Sequence, residues 1–345
     1  MRYPFLFLFF PLLILASCTP DESDRIGSNG QVNIYTHRHY EVDRELYREF
    51  EQETGIRVNV VKASADELIV RLENEGKKSP ADLLVTVDAG RLVMAKEKGL
   101  LQATDSEILE SNVPAHLRDP EGYWYAQTLR ARVIVYSRDR VDADELSSYE
   151  ALTDDKWRGR ILTRSSSNIY NQSLLASIIA HKGSTYAKEW AEGLVANFAR
   201  SPKGNDSDQI IALASGQGDI AIVNSYYVGK LYQSDEAGRR AAAEAVGVFF
   251  PNSADRGSHI NVSGAGITRH APNRASAQKL LEFLSRPEIQ SRFAEANAEF
   301  PVHQDAKSSP ILLSWGEWKQ DELPLNRLGE LNSEAVSIFD VVGWK

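Results

Sequence analysis

Three apolar stretches near the start of the chain are spaced for one kind of sheet. Val32-Asn-Ile-Tyr-Thr36 alternates as a strand does, and Ile56, Val58 and Val60 alternate again. Leu83 to Val87 is apolar throughout, the pattern of a strand covered on both faces. Between them lie helical patterns. Glu41 to Thr54 carries Leu46, Tyr47 and Phe50 on one face and stops at Gly55. Asp66 to Glu75 does the same with Leu68, Ile69 and Leu72 before Gly76, and Asp88 opens a third helix ending at Gly99. The strands start about 25 residues apart, which leaves room for the right-handed helical crossover that parallel neighbours require.

The style repeats downstream. Arg160 to Thr163 reads as a strand, followed by helices through Leu174, Leu175, Ile178 and Ile179 and from Ala187 to Phe198. Asp219 to Asn224 is the next strand, with Ser225 placed to cap the helix after it. Ala277–Leu284 and Glu288–Ala296 are amphipathic helices. Two β-rich stretches, Tyr123–Ser137 and Val246–Ile267, exceed an ordinary strand, so each is expected to cross between lobes. The expected fold is therefore α/β, with two lobes, each a mixed, mostly parallel sheet flanked by helices, and a two-segment hinge. Residues 31–128 with 253–303 would form the first lobe and 129–252 with 304–345 the second. The hinge would lie near 128–134 and 246–262.

The first 30 residues stand outside this pattern. Arg2, an apolar run and the ending Leu15-Ala-Ser-Cys18 describe an export signal over residues 1–17. The run falls short of the roughly 20 apolar residues that span a bilayer. Leu-Ala-Ser-Cys resembles a bacterial lipoprotein box, so Cys18 is expected to be lipidated. Residues 18–30 would then form a polar tether between anchor and domain.

The single cysteine among 345 residues excludes an internal disulfide and a cysteine-built zinc or iron–sulfur site. A formal charge of -9 argues against a nucleic-acid binder. Any bound metal must be held by oxygen and imidazole, which directs attention to the thirteen tyrosines. Any one of them is explained by half-burial with a polar tip. Four share a placement that this does not explain. Tyr40 follows the first strand and precedes the first helix; Tyr170 follows Ile161-Leu162 and Ser165-Ser-Ser-Asn168; Tyr226 and Tyr227 follow Ile220–Ile222. Ligands of open α/β sheets bind beyond the carboxyl ends of strands, where helix N-termini favour negative charge. The polar flanks suggest loop mouths, with one tyrosine from the first lobe and three from the second.

Phenolate is a hard, basic oxygen with a reference pKa of about 10, so only a small, highly charged cation displaces its proton near neutrality. Ferric iron is the biological candidate, and His39 beside Tyr40 could add an imidazole nitrogen. Four phenolates around Fe(3+) leave one negative charge in excess. Arg130 and Arg132, at period two on one face of a long strand, could balance it. Lys230 lies on the helix face of Tyr226 and Tyr227 and could do the same. A closed oxygen shell suits carriage, and no Gly-x-Ser-x-Gly elbow, His-Glu-x-x-His pair or phosphate loop points to an enzyme. The alternative is a protein of the same fold for an anionic or small organic solute, held by the arginines and helix N-termini.

The chain resembles the periplasmic ferric-iron-binding proteins that serve ABC transporters, particularly their cyanobacterial-type branch. The resemblance is carried by Arg38-His-Tyr40, Ser79–Arg91, Leu129–Val133, Arg164–Ser173, Gly218–Ile222 with Tyr226-Tyr227, and Asn261–Gly266. It implies a transferrin-like, type II periplasmic binding protein. Positions matching Tyr40, Tyr170, Tyr226 and Tyr227 would coordinate Fe(3+). His39 matches a position that is a ligand in some members. Arg130 matches a residue near the metal or near a synergistic anion such as carbonate. Lys230 stands where some relatives carry arginine. The implied setting is a lipid-anchored monomer on the periplasmic side of the cell envelope, delivering iron to an ABC permease in the inner membrane.

Overall fold

The computed structural model describes Met1, residues 30–38 and residues 40–345. Cys18, most of the tether and His39 lie outside the described residues. Eight strands form: β1 Gln31–Thr36, β2 Arg57–Lys62, β3 Leu83–Thr86, β4 Tyr125–Ser137, β5 Ile161–Leu162, β6 Ile220–Asn224, β7 Val246–Phe249 and β8 Ile260–Ile267. Their order is β2-β1-β3-β8-β4-β6-β5, with β7 also on β4.

β4 organises the molecule because its two halves have different partners. Tyr125–Ala131 pairs with β8, whereas Arg132–Tyr136 pairs with β6 and Ile134–Ser137 with β7, all antiparallel. The change of partner falls between Ala131 and Arg132. On one side lies a lobe of β2, β1, β3 and β8; on the other, a lobe of β7, β6 and β5. The chain returns through the segment between β7 and β8. Tyr149 fastens the crossing: its hydroxyl donates to the Arg132 carbonyl and accepts from the His259 N–H at 3.2 Å, and Arg132 N–H donates to the His259 carbonyl at 2.9 Å.

Parallel pairs form where the strand spacing implies them. β1 runs parallel to β2 and β3, and β5 parallel to β6. β4 and β8 run antiparallel to all their neighbours, so each lobe's sheet is mixed rather than mostly parallel.

Helix Glu41–Thr54 forms where its apolar face requires, burying Leu46 and Phe50 completely, the latter against Phe283 at 5.5 Å between ring centres. Gly55 ends it at φ 70°, a left-handed conformation open to glycine. One helix differs at its start: Asn224 is the cap residue and Ser225 the first helical one. The Ser225 hydroxyl accepts from Ala131 N–H at 3.3 Å, so it serves the crossing strand and not its own helix.

The C-terminal segment ties the lobes together. Helix Asn326–Glu330 packs on both Ala89–Glu97, which follows β3, and Ile169–Lys182, which follows β5. A methyl group on Gly329 would meet the Val93 Cβ at 2.7 Å, so the contact requires glycine. Helix Asn332–Val342 covers Ile169–Lys182 and Ser184–Ala196, and Trp344 closes over Trp190, Phe198 and Phe339. The Trp344 indole donates to the Arg164 carbonyl at 3.2 Å.

Candidate metal centre

The four tyrosines converge at strand-to-helix junctions, as their sequence positions imply. Tyr40 caps Glu41–Thr54, Tyr170 is the second residue of Ile169–Lys182, and Tyr226 and Tyr227 are the second and third of Ser225–Tyr232. Asn168 fixes the start of the Tyr170 helix by accepting from the Tyr170 N–H at 3.0 Å. The Tyr170 and Tyr226 hydroxyls stand 3.4 Å apart. Tyr226 and Tyr227 stack at 4.3 Å, and Tyr40 meets Tyr226 edge-on at 6.5 Å from across the cleft. Tyr226 is 2% exposed and does not sit at the open loop mouth that the polar flanks suggest, whereas Tyr227 is half-buried. Asn224 and Ser225 turn their polarity inward to the crossing strand.

Such a cluster resists ionisation on its own. Burial first, and then the neighbouring Tyr170, push the Tyr226 and Tyr227 phenols above their ordinary range. Burial and Glu299 do the same to Tyr40. Tyr40, Tyr226 and Tyr227 are therefore neutral without a cation, and one that binds them must expel their protons. Among the described residues no group of three or more His, Cys, Asp or Glu could hold a metal, which leaves phenolate as the available hard donor.

Arginines surround the rings. Arg38 lies 4.8 Å from the Tyr40 ring centre and Arg130 5.7 Å from that of Tyr226. Arg132 and Arg164 lie 5.9 and 5.5 Å from Tyr170. Lys230 sits 3.9 Å over Tyr40, and burial lowers its ammonium pKa against the pull of Glu299. Glu299, fully buried, accepts from Arg130 at 2.6 Å and Arg38 at 3.1 Å. Although burial opposes it, those two guanidiniums hold its carboxyl down at about 2. Arg38 also pairs with Asp43 at 3.1 Å. In the other lobe Asp206 accepts from Arg132 at 2.5 Å and Arg164 at 3.4 Å. The Nε atoms of Arg130, Arg132 and Arg164 and the Asn224 amide nitrogen are buried with no acceptor.

Arg130 and Lys230 thus both lie against rings of the tyrosine cluster. Arg38, Arg164, Glu299 and Asp206 were not assigned a role from sequence. His39 and Cys18 lie outside the described residues.

Residues 78–319 match the bacterial extracellular solute-binding protein family. The chain belongs to this family. Among its solute-binding relatives is iron uptake protein A1 of Synechocystis sp., 47% identical over 96% of this chain and 93% of that protein. The structure of the Trichodesmium IdiA/FutA protein in complex with iron and citrate superposes with a TM-score of 0.89 at 47% identity, covering 92% of this chain and all of that one. Apo FutA2 from Synechocystis gives 0.87 at 46% identity, with 92% and 100% covered. The two-lobed fold is that of these solute-binding proteins.

Proposed function

We propose that this chain binds Fe(3+) between its lobes through the phenolates of Tyr40, Tyr170, Tyr226 and Tyr227, and carries it to an ABC-type importer. The observation that carries this reading is the convergence of four tyrosines from both lobes, ringed by arginines, with no group of three or more His, Cys, Asp or Glu placed to hold a metal among the described residues. His39, adjacent to Tyr40, is the proposed nitrogen ligand. The relatives named for iron uptake and the iron–citrate complex of Trichodesmium support the cargo. The citrate in that complex supports a synergistic anion, carbonate or citrate, beside the metal.

Binding draws Tyr40 from one lobe onto the three tyrosines of the other. The hinge is β4 near residues 128–134 with the return segment near 246–262, a reading supported by the change of strand partners at Ala131 and Arg132. The two lobes are 31–128 with 253–303, and 129–252 with 304–345. The role is binding and delivery, not catalysis. The protein works as a monomer on the periplasmic side of the envelope, held by lipid on Cys18. Ferric citrate added to the purified protein is expected to give a visible phenolate-to-iron charge-transfer band with metal bound one to one. A colourless ferric complex would overturn the tyrosine assignment.

A further inference from the structure

The charged groups behind the tyrosines form two units, each an arginine pair bridged by a buried carboxylate. In the first, Glu299 bridges Arg38 and Arg130, and these lie against Tyr40 and Tyr226. In the second, Asp206 bridges Arg132 and Arg164, and both lie against Tyr170. Arg164 also acts electrostatically on Tyr227. Both carboxylates are fully buried. Each is further satisfied, Glu299 by the Thr128 hydroxyl at 2.9 Å and Asp206 by the Asn224 N–H at 2.8 Å. The central arginines, Arg130 and Arg132, come from one strand and flank the residue at which β4 changes lobes.

A buried carboxylate that bridges two guanidiniums fixes both in place and cancels half their charge. Two arginines alone would repel an incoming trivalent cation, and a buried carboxylate between them offsets that repulsion. Asp206 leaves its arginine pair one positive charge behind Tyr170, whereas in the other unit Asp43 also pairs with Arg38, so two carboxylates meet two arginines there. Resting on the ligand reading above, we infer that Glu299 and Asp206 are positioning residues for metal binding, each holding an arginine pair against the tyrosines of the closed cleft and setting the net charge they feel.

The charge-transfer band reads this charge directly. A positive charge nearer the phenolate than the iron lowers the donor orbital and moves the band to shorter wavelength. Ferric citrate is added to the wild type and to Glu299→Gln, Asp206→Asn and Arg164→Gln. Both carboxylate variants should shift the maximum to shorter wavelength and Arg164→Gln to longer wavelength. Glu299→Asp and Asp206→Glu should return it toward the wild-type position. Should Glu299→Gln fail to fold, Asp206→Asn and Arg164→Gln carry the test in the other lobe. Variants that change only band amplitude or melting temperature, or that all shift in one direction, would show the carboxylates to be packing elements and overturn the inference. A wild type that stays colourless with ferric citrate would instead overturn the ligand reading and the inference with it.

Discussion

Tyr226 and Tyr227 stack as neighbours on one turn, and Tyr232 ends the same helix five residues on. Tyr226→Phe or Tyr227→Phe is expected to lower ferric affinity by more than about 100-fold, since even residues behind a metal's ligands cost 10–100-fold when lost. Tyr232→Phe should leave it nearly unchanged; equal losses in a chelator competition would make the pair structural. His259 sets a different prediction. Burial, then Arg132 and Arg256, lower its pKa from 6.5 to about 3, so it stays neutral in the fold while the unfolded chain takes up a proton below 6.5. The unfolded state then binds more protons, and stability falls as pH drops through that window. At pH 5 the loss is about 2 kcal/mol. His259→Gln should flatten the dependence of the melting temperature between pH 7 and pH 5; an unchanged slope would place the titration elsewhere. The tyrosines were legible in sequence because each stands at a local boundary, a strand end before a helix. Glu299 was not, because its arginine partners are 261 and 169 residues away and nothing local marks it.

At the level of elements, the helix bearing the tyrosine pair rests directly on the segment bearing Glu299. A methyl group on Gly229 would come within 2.2 Å of the Ala298 Cβ. Ala298 itself holds φ 52°, which turns the chain so that Glu299 points inward. Gly229→Ala should therefore push the two elements apart, at about 1–3 kcal/mol of packing strain. The expected outcome is weaker iron binding and an iron-loaded protein with a larger radius of gyration in solution scattering. Normal affinity and dimensions would mean that the contact is not part of closure. Helix Glu41–Thr54 was read to the residue from its apolar face and Gly55, because helix and stop are both local signals. The cap at Ser225 was misread for the opposite reason: its hydroxyl is claimed by Ala131, a residue of another strand.

Across the whole molecule, β4 is both a member of two sheets and the support for two of the arginines. Its length was visible in sequence; its antiparallel entry into both lobes was not, since direction depends on where the chain re-enters. A second whole-molecule contact joins the lobes: the Ser173 hydroxyl donates to Asp88 at 2.7 Å, and Asn261 donates to the same carboxylate oxygen at 2.6 Å. Among the described residues no helix is long and apolar enough to cross a membrane, so proposed attachment rests on Cys18. Cys18→Ala should move the protein from the detergent phase to the aqueous phase of a phase-separation extraction; a protein that stays in the detergent phase would require another anchor.

The Arg164 carbonyl is gripped from two distances along the sequence. The Asn171 amide donates to it at 2.9 Å from the next helix, and the Trp344 indole donates at 3.2 Å from 180 positions away. Arg164 belongs to the ring of cations around Tyr170, so a tryptophan packed on Trp190, Phe198 and Phe339 still helps to set where one of those charges stands.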